Sequence, residues 1–393
     1  MKKRYFSYAQ FIFLTVLLAT SLFFFSYADA AELKIPSLKL GWSWPFTGTV
    51  AEAASATFKA FPVAIAEINE TGGINGYKVE IQSLDDAFNK VNAVNNFKKL
   101  AAMDNIFAIG CLSTGIGLTY KPLNEQYKII QLNSTSIGDW PNGLGEWVFR
   151  NTNSDKFTIP FLLKAVKDKF GVKTVGVMFD YVDDFSVFCV PIIRNACKDL
   201  GLELVAKPQS YARGDTDFSA QLRILEKANP DFIILPAQQR EGTLIIKQAR
   251  MLGVKSLIGA TSAGVSLAAV RAVGDAADGV INVDSFHKNS KNPEAVHFYR
   301  KFRQMFPDAD VNDYATPLGY DIAMMACIAA RRANIKHPVT EKDRIAVRNE
   351  FAKIKGWKGA AGSYTFEGPG DALPRDCFLQ RYNAKTKFYD LLD

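Results

Sequence analysis

Hydrophobic positions from residue 38 onward fall into two alternating rhythms. Short runs, apolar throughout or at every second residue, predict strands; longer stretches, apolar at every third or fourth, predict helices. Strands are expected at 38–44, 78–84, 106–110 and 129–132, with helices at 53–69, 91–103 and 117–126 between them. Gly72 and Gly73 end the first helix. Pro62 falls inside it, where a proline removes a backbone donor and bends the helix, and the pattern offers no reason for it.

The rhythm restarts after about residue 150. Helices are expected at 159–170, 186–200, 218–228, 243–252 and 267–273, and strands at 174–179, 202–206, 232–235, 257–259 and 279–283. Strand–helix alternation at this spacing means parallel sheets with helices on both faces, and two such series predict two similar doubly wound α/β lobes. Beyond 284 the pattern changes to two long helical stretches, 293–306 and 314–334. Short strands follow at 362–366 and 378–382 among Gly and Pro turns, so the chain is expected to cross between lobes more than once.

The first 30 residues differ from the rest. Lys2, Lys3 and Arg4 precede an apolar run at about 11–25, and Ala28-Asp29-Ala30 supplies the small-x-small pattern of a signal-peptidase site. The run is short for a membrane span of roughly 20 residues, and no Cys follows it to carry a lipid. Cleavage after Ala30 would leave 363 of the 393 residues. It would remove three basic residues and one acid, lowering the formal charge from +7 to +5. That mild, scattered charge calls for no nucleic-acid partner. A single core stops growing at roughly 250–300 residues, which also favours two lobes.

Candidate chemistry is sparse. The three histidines, His287, His297 and His337, form no metal-ligand spacing with Cys or carboxylates. No phosphate loop or nucleophile elbow occurs, so neither a metal nor a cofactor nor a catalytic residue is expected. Asp85-Asp86 and Asp183-Asp184 read as loop or cap residues. The five cysteines (Cys111, Cys189, Cys197, Cys327, Cys377) are an odd number. Cys189 and Cys197 share an expected helix at about 12 Å of rise, too far apart to bridge.

In doubly wound sheets ligands bind beyond the carboxyl ends of the strands. The loops there carry Trp42, Trp44 and Phe46 after the first strand, Ser113 and Thr114 after the third, and Ser134, Thr135 and Ser136 after the fourth. The second lobe supplies 180–186, 236–241 and 260–264. Hydroxyls where helices begin read in two ways: as ordinary N-caps, or with free amide donors as a seat for a carboxylate. Trp44, and less so Trp42, is either an aromatic pocket wall or core, because alternation sends both indoles to one side of the strand.

Several segments, taken in order, resemble the leucine/isoleucine/valine-binding family of type I periplasmic binding proteins. They are Pro45-Phe46-Thr47-Gly48, Ile68-Asn69-Glu70-Thr71-Gly72-Gly73-Ile74-Asn75-Gly76, and the strand ending in Asp85-Asp86. Gly110 to Thr114, Gly214-Asp215-Thr216-Asp217-Phe218-Ser219, Gln248-Ala249-Arg250-Met251-Leu252-Gly253 and Gly274-Asp275-Ala276-Ala277-Asp278-Gly279-Val280 complete the set. The resemblance runs nearly end to end. It implies two Rossmann-like lobes joined by three crossing segments, near 150–153, 283–286 and 361–364. Lobe 1 would comprise 31–150 with 285–361, and lobe 2 151–284 with 362–393, after a signal peptide at 1–30. It further implies an exported, periplasmic, monomeric, non-catalytic receptor. Such a receptor closes on a small carboxylate, amino acid or amide and docks on an ABC-type permease. A sensor feeding a signalling partner, or a secreted α/β enzyme, stand as alternatives.

By matching, the family's carboxylate contacts fall at Ser113 or Thr114 and at Ser134, Thr135 or Ser136. The second-lobe aromatic falls at Phe185, and the next contact near Gln238. The acid that pairs a ligand ammonium falls at Thr261, which is a departure. Either Asp180, Asp184 or Glu241 takes over, or the ligand has no ammonium, since a buried ammonium without an anion is costly. The family's first-lobe disulfide is also missing, with Cys111 near one position and Phe88 at the other.

Overall fold

Leu38–Trp44 (β1) is buried at six of its seven positions, as a central parallel strand must be when both faces of its sheet are covered. It pairs in parallel with Val79–Asp85 (β2) on one side and Ile106–Gly110 (β3) on the other; Ile130–Asn133 (β4) and Val148–Arg150 (β5) continue the sheet. The computed structural model describes residues 36–261, 263–287, 290–309 and 315–392; the export signal expected at 1–30 lies outside them.

Ala51–Phe58 (α1), Ala60–Glu70 (α2), Lys90–Ala101 (α3) and Thr114–Tyr127 (α4) connect these strands. The single helix expected at 53–69 is two, broken at Lys59. Pro62 therefore lies in the first turn of α2, where its missing N–H would have had no helical partner. That explains a residue the sequence pattern left unexplained.

The second sheet begins after Asp155–Phe170 (α5). Thr174–Asp180 (β6), Glu203–Leu204 (β7), Gln209–Tyr211 (β8), Phe232–Ile234 (β9), Leu257–Ala260 (β10) and Ile281–Asp284 (β11) all pair in parallel. Between them run Asp184–Leu200 (α6), Ser219–Ala228 (α7), Gln239–Met251 (α8) and Leu267–Val273 (α9).

Pro293–Met305 (α10), Ala315–Arg332 (α11) and Glu341–Phe351 (α12) return to the first sheet. Phe298, Leu318, Ile322 and Phe351 share a core with Leu40, Trp42 and Phe107. The other face of that sheet buries Phe97, Ile109 and Tyr120. The second sheet is likewise packed on both faces, around Phe218, Ile246 and Tyr382 on one and Leu162, Ile193 and Phe232 on the other.

Trp357–Gly359 (β12) and Gly362–Tyr364 (β13) form a hairpin, and Gly370–Asp371 (β14) extends the first sheet beside β5. Phe378–Asn383 (β15) and Phe388–Leu391 (β16) then add antiparallel strands to the second sheet beside β11. The protein is thus two doubly wound lobes joined by three passages of chain, at 151–154, after Asp284 and at 372–377. The third passage differs from the 361–364 expected. That stretch is β13, whose Tyr364 is fully buried in the first-lobe core.

Candidate functional site

The carboxyl ends of the two sheets face each other, and the loops beyond them enclose a cavity of about 90 Å³. The first lobe contributes Val50, Ala53, Ala54 and Thr57 from α1 and its entry, Phe88, Leu112, Ser113, Thr114, Thr135 and Ile137, with Ala315 opening α11. The second contributes Phe185, Gln238, Gln239 and Ser266. Among the described residues, none that lines this cavity is ionisable. The lobes touch at the rim: Lys90 of α3 pairs with Asp184 of α6 at 2.5 Å, and the Arg213 guanidinium lies over the Phe88 ring, 4.7 Å from its centroid.

Five of the nine residues singled out from sequence line this cavity: Ser113, Thr114, Thr135, Phe185 and Gln238. Ser113 is the N-cap of α4, its hydroxyl oxygen accepting from the Ile116 amide at 3.3 Å. Its own proton stays free to donate. The Thr114 oxygen accepts from the Ser136 hydroxyl at 3.1 Å and the Gly138 amide at 3.3 Å, so its proton is free as well. The Thr135 hydroxyl donates to the Leu112 carbonyl and tethers the two strand-end loops. Capping and ligand binding, posed as alternatives by the sequence, are compatible here because they use opposite ends of the hydroxyl dipole. Two hydroxyl donors beside the first-turn amides and positive dipole end of α4 suit a carboxylate or another compact anion.

The other four stand behind the wall. Ser136 props Thr114 and accepts from the Trp140 indole at 3.2 Å. Ser134 is fully buried beside β4. Trp44 is core: it is fully buried, donates from Nε1 to the Ala54 carbonyl at 2.8 Å, and meets Trp42 edge-on at 5.7 Å. It therefore supports α1, which forms the wall, instead of forming it. Thr261 donates to Oδ1 of Asp155 at 2.7 Å, inside the second lobe.

Nor do the three acids proposed as stand-ins for Thr261 line the cavity. Asp184 faces Lys90. Asp180 sits 3.5 Å from Arg213, and Glu241 accepts from the Gly214 amide at 3.2 Å. Asp183 receives Arg213 at 3.1 Å and the Gln238 amide at 2.6 Å, which fixes the Gln238 side chain against the cavity. Burial pushes the carboxyl pKa of both Asp180 and Asp183 up, and the Arg213 charge opposes that.

Sequence reasoning missed Val50 to Thr57, Phe88 and Arg213, and reached Gln239 only as part of the 236–241 loop. The α1 residues are small and apolar, and only the break at Lys59 aims that helix at the cleft. Among the described residues no group of three His, Cys, Asp or Glu could hold a metal ion, and no helix is long and apolar enough to cross a membrane.

The comparisons with known proteins agree with the two-lobed fold. The leucine-, isoleucine-, valine-, threonine- and alanine-binding protein of Pseudomonas aeruginosa is 24% identical over 285 residues, 72% of this chain and 74% of that protein. The crystal structure of a leucine-binding protein from Thermotoga maritima superposes with a TM-score of 0.81 at 24% identity, over 91% of this chain and 98% of that one. A fatty acid ABC transporter substrate-binding protein from Thermomonospora curvata gives 0.79 at 19% identity, covering 91% of each chain. The family model described as periplasmic binding protein matches residues 37–387, and this chain, with its two lobes and the cleft between them, belongs to that family.

Proposed function

We propose that this protein is an exported, non-catalytic receptor that captures a small organic carboxylate, amino acid or amide in its cleft and delivers it to an ABC-type permease. The observation that carries the reading is the lining itself. Two hydroxyl donors at the start of α4 face an enclosure whose described lining is otherwise uncharged and largely apolar. An anionic head is matched there by donors and a helix dipole, and its desolvation is offset, while an apolar body meets Ala, Val, Leu, Ile and Phe surface. The named ligands of the relatives, amino acids and a fatty acid, share a carboxylate. Among the described residues the lining holds no anion for an ammonium, which favours ligands whose only charge is the acid. Trapping follows by hinge closure, because the ligand touches both lobes and stabilises the form in which they meet. Export would proceed by cleavage near Ala30, which N-terminal sequencing of the exported protein checks.

The test is a thermal-shift screen of the mature protein against L-leucine, L-phenylalanine, benzoate, octanoate, acetamide and urea. A ligand present at a hundred times its dissociation constant should add about 2.7 kcal/mol of stability. Shifts with the acids support the reading. Flat melting curves across all six, or chemical turnover of a bound compound, would overturn it.

A further inference from the structure

Phe88 has no role in the sequence argument beyond standing where a half-cystine is missing, yet the structure holds it in place at a cost. Ala87 and Phe88 are consecutive non-glycine residues with left-handed backbones, φ 50° and 58°. L-residues adopt that region rarely, and strain of this kind persists only where surrounding contacts over-determine it. They do so here. The Ala87 amide donates to Asp85 at 2.9 Å and the Phe88 amide to Asp86 at 2.8 Å. The same Asp85 carboxylate accepts from the Phe46 amide at 3.0 Å and the Thr47 hydroxyl at 2.6 Å. Gly48, itself at φ 91°, lets that turn press on the strained one, since a Cβ there would lie 2.9 Å from the Ala87 carbonyl.

The result is an apolar ring from the first lobe that lines the cavity and also meets the second lobe's Arg213 face-on at 4.7 Å. Arg213 is anchored on its own side by Asp183 and Asp180, which are 4% and 1% exposed. Two nearly buried carboxylates keep their counter-charge, so Arg213 stays with the second lobe when the lobes part. The Phe88–Arg213 contact therefore exists only when they meet. Asp183 continues the chain to Gln238 on the opposite wall of the cavity.

We propose that Phe88 couples ligand occupancy to closure: its ring contacts the ligand's apolar body while its face receives the Arg213 guanidinium from the other lobe. It is a positioning and specificity residue, and the ligand contact rests on the function proposed above. A planar guanidinium over a ring is an electrostatic and stacking contact that Lys reproduces poorly and Leu cannot receive.

The experiment is a double-mutant cycle on the whole mature protein with F88L, R213K and the pair. Lys at 213 keeps a positive charge beside Asp180 and Asp183, so the fold survives, as a cooperative melt verifies. Benzoate and L-leucine serve as probes, and small-angle scattering reports lobe separation with and without them. Each single variant should weaken probe affinity about 3- to 30-fold, with the pair little worse than the weaker single, and should enlarge the radius of gyration of the probe-saturated protein. Strictly additive affinity losses, together with scattering curves identical to the parent's, would overturn the coupling. If neither probe binds the parent, the cycle is repeated with whichever of L-phenylalanine, octanoate, acetamide and urea shifts its melting curve. If none does, the function proposed above fails, and the coupling that rests on it falls with it.

Discussion

Thr261 donates its hydroxyl proton to Oδ1 of Asp155 across 2.7 Å. The same carboxylate accepts from the Thr158 hydroxyl at 3.0 Å, and Cys189 Sγ lies 3.3 Å from Oδ2. Asp155 is fully buried, and burial pushes its pKa up to about 6, with the bonds from Thr261, Cys189 and Thr158 opposing the rise. The second lobe thus does keep an acid near the position where the family resemblance led one to expect it. It lies behind Thr261, which itself stands outside the cavity lining.

Stability should depend on pH accordingly. Asp86 and Asp321 are also raised to about 6, again chiefly by burial. Between the ordinary carboxyl value, about 4, and 6, the folded protein holds protons that the unfolded chain has released. These groups therefore add stability that is complete below about pH 4 and is lost as pH rises to 6. The melting temperature should fall from pH 5 to pH 7. Asp155→Asn keeps an acceptor for both hydroxyls and should flatten that slope, gaining about 1–3 kcal/mol at pH 7 relative to the parent. Urea unfolding at the two pH values checks it; an unchanged slope in the variant would mean that Asp155 does not titrate there.

Gly115, at the start of α4, gives a way to oppose closure without touching a donor. A Cβ there would come 2.7 Å from the Asp184 carboxylate of the other lobe and 3.2 Å from the Lys90 stem. Its φ is ordinary, so the backbone accepts a side chain, and the only first-lobe neighbour this close is the flexible Lys90 stem. Gly115→Leu should wedge the lobes apart and weaken any ligand that bridges them by about tenfold or more. The urea midpoint of the unliganded protein should stay level or rise slightly, since Gly is about 1 kcal/mol worse than other residues inside a helix. Equal affinity for parent and variant would show that binding needs no lobe contact here.

How much of this was legible in the sequence follows from the range of each signal. Strands such as Leu38–Trp44 and Ile106–Gly110 were readable to the residue, the first because Leu38, Leu40, Trp42 and Trp44 alternate, the second because a strand buried on both faces is apolar throughout. Strand β5 was not, since three residues carry no period. Helix α12 was passed over although Thr340 and Asp343 form a reciprocal capping box at its start, a signal its short apolar face did not amplify. At the site, loop position pointed to Ser113, Thr114 and Thr135, and the family resemblance to Phe185 and Gln238, all of which line the cavity. Phe88 and Arg213 were out of reach. Their meaning depends on two positive φ angles and on a contact between residues 125 positions apart, neither of which leaves a local pattern.

Ser113 should separate capping from recognition. Asp caps as well as Ser, because its oxygen accepts the same Ile116 amide, and it adds a charge favourable to the helix start. Yet Asp cannot donate, and it repels an anion at the same spot. Ser113→Asp should hold thermal stability within about 0.5 kcal/mol and abolish binding of a carboxylate probe. Ser113→Ala should cost about 1 kcal/mol of stability and about 1–3 kcal/mol of affinity. Tight binding of benzoate or L-leucine to the Asp variant would move the carboxylate elsewhere.

Arg150 holds the floor on which these donors stand. Its guanidinium is buried and forks onto Asp371 through Nε and Nη2, the latter at 2.9 Å. Its Nη1 donates to the carbonyls of Ser136 at 2.9 Å and Gly138 at 2.6 Å. One side chain thus ties the end of β5, the loop that supports Thr114, and β14 at the approach to the third passage between lobes. Lys has the charge but not the planar fork, so Arg150→Lys leaves buried carbonyls unpaired and should cost about 2–4 kcal/mol. Asp371 is 43% exposed on its side chain, so solvent already screens the pair, and Asp371→Asn should cost only about 0.5–1.5 kcal/mol. Affinity discriminates further. Arg150→Lys frees the Ser136–Gly138 segment and should weaken a carboxylate probe, whereas Asp371→Asn leaves both carbonyl bonds in place and should not. Urea unfolding and probe titration of the two variants check this order, and equal losses in both would place the anchor in the ion pair instead of the carbonyl contacts.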